Sequence, residues 1–190
     1  AISGEALAQR VLEKGVQTGT ILLPSQTRAD TAEVNERVTA AFEAVVKKLN
    51  EAAKLENFTV DAGPENIGIP VNDADITSSI VTYLESRGDV VGVFAPNGAV
   101  TPALVDAVTQ VGKQGELCTF GYDLGPKQLE GIRTGALTGS LGQQPFVQGF
   151  WPVAQLYLQI DRGVQAANVD TRAQLVTKDN VDTVGKRFEN

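Results

Sequence analysis

Short apolar runs alternate with amphipathic stretches along the whole of this chain. Thr18 to Leu23, Phe58 to Asp61, Val90 to Phe94, Leu117 to Tyr122 and Leu137 to Leu141 are brief and rich in β-branched or aromatic residues. That composition predicts buried strands. The central run, Val90-Val91-Gly92-Val93-Phe94, carries no polar break, as expected of a parallel strand covered on both faces. The intervening stretches repeat apolar residues at helical spacing. Ser3 is placed as the cap of a first helix with Ala6, Leu7, Val11 and Leu12 on one face, stopped at Lys14-Gly15. Asp30 or Thr31 caps a second, with Val34, Val38, Ala41, Val45 and Leu49 as its stripe. Further helices are predicted from Asp73 (Ile76, Ile80 and Leu84 inward, Gly88 closing), from Thr101-Pro102, over Pro126 to Thr134 with Gly135 as stop, and over Gln148 to Ile160. Ala173 to Thr177 reads as a last short strand, before a turn at Asp179-Asn180-Val181.

Strand then helix, repeated five times, argues for an α/β fold: a doubly wound parallel sheet with right-handed crossovers. The expected strand order is 2-1-3-4-5, with the switch point between the first and third strands. Ligands of such sheets lie beyond the carboxyl ends of the strands. Ser25 and Asn97 then flank one crevice.

Composition narrows the chemistry. A formal net charge of −7, with no basic stripe, speaks against a nucleic-acid partner. The chain has no histidine, which removes the commonest general base and most zinc sites. Its single cysteine, Cys118, lies in the apolar run Leu117 to Phe120 and reads as a buried, inert thiol. No apolar run reaches membrane-spanning length, so no membrane insertion is expected. No cofactor is implied. The absence of any methionine fits a processed or truncated polypeptide.

Polar residues follow the strand ends. The first strand delivers Ser25 and Gln26, with Arg37 further along the next helix; the third delivers Asn97, the fourth Asp123, the fifth Gln143 and Gln144. Carboxylate, amide and guanidinium groups each bond neighbouring hydroxyls, which suits a polyol. Tyr122, Phe146 and Trp151 are candidates to pack on a sugar ring. Each residue also has a plainer reading. Asp123 could cap the helix near Pro126, Asn97 could form a turn, Gln143 and Gln144 could serve a hinge, and Arg37 could be a solvated surface residue.

Five segments together resemble a known family. They are Val93-Phe94-Ala95-Pro96-Asn97, Phe120-Gly121-Tyr122-Asp123, Gly131-Ile132-Arg133-Thr134-Gly135, Gln143 through Gly149, and Leu175 through Val181. In that order and spacing the chain resembles the C-terminal lobe of type I (ribose-binding-like) periplasmic sugar-binding proteins of ABC transporters. The resemblance implies sugar contacts at Asn97, Asp123, Gln143 and Arg37, and no catalysis. It implies a monosaccharide or polyol ligand, a transporter permease as partner, a periplasmic or extracytoplasmic setting, and binding by hinge closure of two lobes. Residues 1–142 and 173–190 would form the ligand-binding lobe. Residues 143–172 would be a hinge crossing whose helix packs on an N-terminal lobe expected before the first helix, on a second copy, or against its own sheet. The effector domain of a lac-repressor-like transcription regulator shares the fold and is the alternative.

Overall fold

The computed structural model describes residues 2–16, 18–24, 40, 47, 57–61 and 73–186. In chain order these form α1 (Ile2–Glu13), β1 (Thr18–Leu22), β2 (Asn57–Asp61), α2 (Asp73–Ser86), β3 (Val90–Phe94), α3 (Val100–Gln110), β4 (Cys118–Tyr122), α4 (Pro126–Thr134), β5 (Gly139–Gly142), α5 (Pro145–Arg162), β6 (Gln174–Thr177) and α6 (Val181–Gly185). Of the helix expected from Asp30 or Thr31, only residues 40 and 47 are described, both helical; its apolar stripe lies outside the described residues.

One sheet runs β2-β1-β3-β4-β5-β6. The first five strands are parallel, in the order expected. The sixth departs from the parallel expectation: β6 pairs antiparallel with β5, from Gly139 opposite Thr177 to Gly142 opposite Gln174. The reason is the route of the chain. After β5 it leaves across the carboxyl edge of the sheet and re-enters at that same edge, so the returning strand must run the other way.

Alternation along the strands divides the core between the two faces. Ile21, Leu23, Phe94, Cys118 and Phe120 point to one face, where Leu7 and Val11 of α1 cover them. Leu22, Val93 and Ala95 point to the other, under Ile76, Ile80 and Leu84 of α2, Leu104 and Val108 of α3, Leu129 and Ile132 of α4, and Val181 of α6. This is the doubly wound arrangement. Cys118 is buried, as the sequence predicts, and burial pushes its thiol pKa up, away from the nucleophilic thiolate.

Helix ends follow local chemistry. Gly135, at φ 83°, closes α4 as expected, because a left-handed turn carries no steric penalty without a Cβ. α1 already begins at Ile2, so Ser3 lies inside it rather than before it. α5 begins at Pro145, three residues before the predicted start: the ring fixes a helical φ where the missing N–H has no partner to lose. The helix runs on through Pro152 to Arg162.

α5 differs from every other long helix described. It contains no buried residue. Phe146 is 81% and Ile160 78% exposed, and Phe150, Val153, Leu156 and Tyr157 are exposed with them. Phe146 and Phe150 stack on one another at 6.1 Å, with Trp151 edge-on to Phe150.

Candidate binding ledge

The carboxyl ends of β3, β4 and β5 meet at one ledge. At the end of β3, Asn97 starts the turn into α3. Its side-chain Oδ1 accepts the N–H groups of Ala99 at 3.0 Å and Val100 at 3.1 Å. The turn-forming reading therefore holds for that oxygen. Its backbone carbonyl accepts from the Thr101 hydroxyl at 2.8 Å. The same hydroxyl oxygen accepts the N–H of Tyr122 at 3.0 Å. Thr101 is fully buried, and this pair of bonds fixes the tip of β3 against the tip of β4.

At the end of β4, Asp123 adopts a left-handed backbone at φ 68°. Few residues other than glycine take this region, and aspartate is among those that tolerate it. Two bonds from β5 hold it there: its N–H donates to the carbonyl of Leu141 at 2.9 Å, and its carbonyl accepts from the Ser140 hydroxyl at 2.8 Å. Its side chain does not cap the next helix. The cap position of α4 is Gly125, with no side-chain cap bond. Asp123 Oδ1 instead accepts from Gln143 Nε2 at 2.8 Å. Its Oδ2 lies against the Cα of Gly98, in space that a side chain at 98 would occupy.

At the end of β5, Gln143 reaches back to Asp123 while its own carbonyl accepts from Gln148 Nε2 at 2.6 Å. Gln144 follows in a left-handed conformation, φ 56° and ψ 56°, at the N-cap position of α5 but without a side-chain cap bond. Both glutamines line the cleft, and Gln144 also forms the bend where the chain leaves the sheet.

The structure brings Asp123 and Gln143 into direct contact and sets Gly98 against Asp123, while Asn97 is not among the residues lining the cleft they share. A cleft of about 730 Å³ opens over Gly98, Asp123 and Gln143, with Phe146 on its wall. That size lies within the range of small-molecule sites. Of the aromatic candidates, Phe146 lines this cleft. Tyr122 packs edge-on against Phe94 at 5.9 Å, on the α1 side of the sheet. Trp151 sits further along α5 against Phe150. Ser25, Gln26 and Arg37 lie outside the described residues. Sequence reasoning missed Gly98, Thr101 and Ser140. A glycine directly after the Asn97 turn was the one available signal, and it reads equally well as part of the turn.

Among the described residues no group of three or more His, Cys, Asp or Glu could hold a metal ion. No helix among them is long and apolar enough to cross a membrane. The ledge offers one carboxylate, side-chain amides and an aromatic face. These can grip hydroxyl groups.

A family described as periplasmic binding protein domain matches residues 2–163. The xylose/arabinose-binding protein XylF of Sulfolobus acidocaldarius is 28% identical, aligned over 98% of this chain but only 45% of its own length. Two solved structures share the fold. One is an ABC transporter solute-binding protein from Agrobacterium vitis with bound D-fucose: TM-score 0.75, 22% identity, 98% of this chain and 60% of that one. The other is AraP, an arabinose-binding protein from Geobacillus stearothermophilus: TM-score 0.71, 19% identity, 99% of this chain and 62% of that one. The chain therefore spans about half the length of its curated relative.

Proposed function

The chain belongs to the periplasmic binding protein domain family, and on that premise we propose that it is the C-terminal lobe of a monosaccharide receptor serving an ABC transporter. The observation that carries this reading is the Asp123–Gln143 pair beside Gly98 at the carboxyl edge of the sheet. A carboxylate and a primary amide held together present acceptors and donors to neighbouring ring hydroxyls. Asn97 and, from outside the described residues, Arg37 and Ser25 complete the contact set. The ligand is held unaltered, and the protein works outside the cytoplasm as a binding component rather than an enzyme. The solute-binding relatives favour transport over the transcription-regulator alternative.

Residues 1–142 and 173–190 form the lobe, and 143–172 form the crossing. The occupant proposed for the apolar face of α5 is the N-terminal lobe. An apolar face of this extent is unusual on a monomer surface, and the curated relative is more than twice as long as the part matched here. Closure of the two lobes on the sugar would then create the shape that a permease reads.

The test is titration of the purified chain with D-xylose, L-arabinose and D-fucose, followed by backbone amide chemical shifts, which register millimolar binding. Shifts clustered at residues 97–98, 123 and 143 are expected with at least one sugar, and these should vanish in Asp123→Ala. Shifts confined to other surfaces, or none with any of the three, would overturn the reading.

A further inference from the structure

We infer that Ser140 and Gly98 are positioning residues that set the Asp123 carboxylate for its ligand; this rests on the reading of Asp123 as a sugar contact. Neither residue needs to touch the sugar. Ser140 is fully buried within β5, and its hydroxyl donates to the Asp123 carbonyl at 2.8 Å. With the Asp123 N–H bonded to Leu141, this clamps both sides of a residue in the left-handed region. An aspartate there is strained and persists when its surroundings over-determine it. The backbone conformation decides where the side chain starts. Gly98 then decides where it ends: the carboxylate leans into the space left by the missing Cβ, and from there Oδ1 meets Gln143. Any side chain at 98 overlaps Oδ2 and forces the carboxylate to swing, which breaks the geometry of the Gln143 bond.

The arrangement is preorganisation. A carboxylate fixed before the ligand arrives loses less conformational freedom on binding. It also presents the same two oxygens to every incoming ring, so selectivity among epimers depends on Ser140 and Gly98 as well as on the contacting groups.

The test compares Ser140→Ala, Ser140→Thr and Gly98→Ala, each with and without Asp123→Ala, by sugar titration with D-xylose, L-arabinose and D-fucose. Ser140→Ala and Gly98→Ala are each expected to weaken binding about three- to tenfold. Ser140→Thr keeps the hydroxyl and should stay close to the parent. In the Asp123→Ala background the same changes should cost less than about twofold, because they act through a carboxylate no longer present. Full additivity with Asp123→Ala would overturn the inference, as would parent-like binding by both single variants. Parent-like binding by Asp123→Ala itself would instead sink the assignment of Asp123 as a contact. A second readout needs no ligand: the side-chain amide resonance of Gln143 in the sugar-free protein. Gly98→Ala and Ser140→Ala should each move it, and Ser140→Thr should not. An unmoved resonance in both Gly98→Ala and Ser140→Ala overturns the inference even if no sugar binds. Gly98 lies in a half-buried turn outside the sheet, so Gly98→Ala spares the core even if the change at Ser140 does not.

Discussion

Gln143 Nε2 donates to Asp123 Oδ1 across 2.8 Å, joining the carboxyl ends of two neighbouring strands that are twenty residues apart in the chain. The bond holds the amide and the carboxylate as one unit. Removing the carboxylate leaves the Gln143 amide without its acceptor and, on the proposed reading, a ligand hydroxyl as well. Asp123→Ala is expected to lower sugar affinity by about 1–3 kcal/mol. Gln143→Ala is expected to lower it too, and the two losses should not add, since the residues share a network. Calorimetry of the two single variants and the double variant measures this. A double variant as weak as the simple sum would show that the pair acts independently.

Thr101 links β3 to β4 through one hydroxyl, which donates to Asn97 and accepts from Tyr122. Thr101→Val keeps the shape and removes both bonds, leaving the Tyr122 N–H without its acceptor. Stability is expected to fall by about 1–3 kcal/mol. Urea unfolding followed by circular dichroism measures it, and an unchanged midpoint would refute the role given to this hydroxyl.

At the opposite end of the sheet, Asp89 accepts from Arg87 at 3.0 Å and 2.9 Å and from the Thr20 hydroxyl at 2.6 Å. The Arg87 guanidinium, and then Thr20, hold its carboxyl well below the usual carboxylate range. A folded-state pKa below the unfolded one gives stability that is complete above the unfolded value, about 4, and is lost as acid titrates the native carboxylate. Asp89→Asn should therefore melt below the parent at neutral pH, and the gap should narrow as the pH falls from about 5 towards 2. Because the pair is exposed, salt should narrow it as well. A gap independent of pH would rule out the ion pair as its source.

The apolar face of α5 should drive association whenever its partner surface is missing. Light scattering is expected to show the chain associating as its concentration rises. Phe150→Glu combined with Ile160→Glu should leave a monomer with unchanged far-ultraviolet circular dichroism. A parent chain that stays monomeric at high concentration would remove the case for a covered face.

Much of this architecture is written locally. The run Val90 to Phe94 reads as a buried strand from its own residues, and β3 spans those residues. Ile76, Ile80 and Leu84 fall on one helical face and are all buried. Gly135 announces the end of α4. From alternating strands and helices the order of the parallel strands follows, because handedness and short connections leave few alternatives. From that order it follows that Asn97, Asp123 and Gln143 share an edge. The antiparallel return of β6 was not legible, because nothing in Ala173 to Thr177 records at which end of the sheet the chain comes back.

The sequence by itself determined the periodicities, the turn residues and the polar tips, since each depends on neighbours within about two helical turns. Tertiary structure alone decided what those tips do. That Asp123 is clamped left-handed by Ser140, that its carboxylate meets Gln143, and that Gly98 leaves room for it all depend on strand register. Register brings residues tens of positions apart into hydrogen-bond contact, and no local pattern encodes which of them meet.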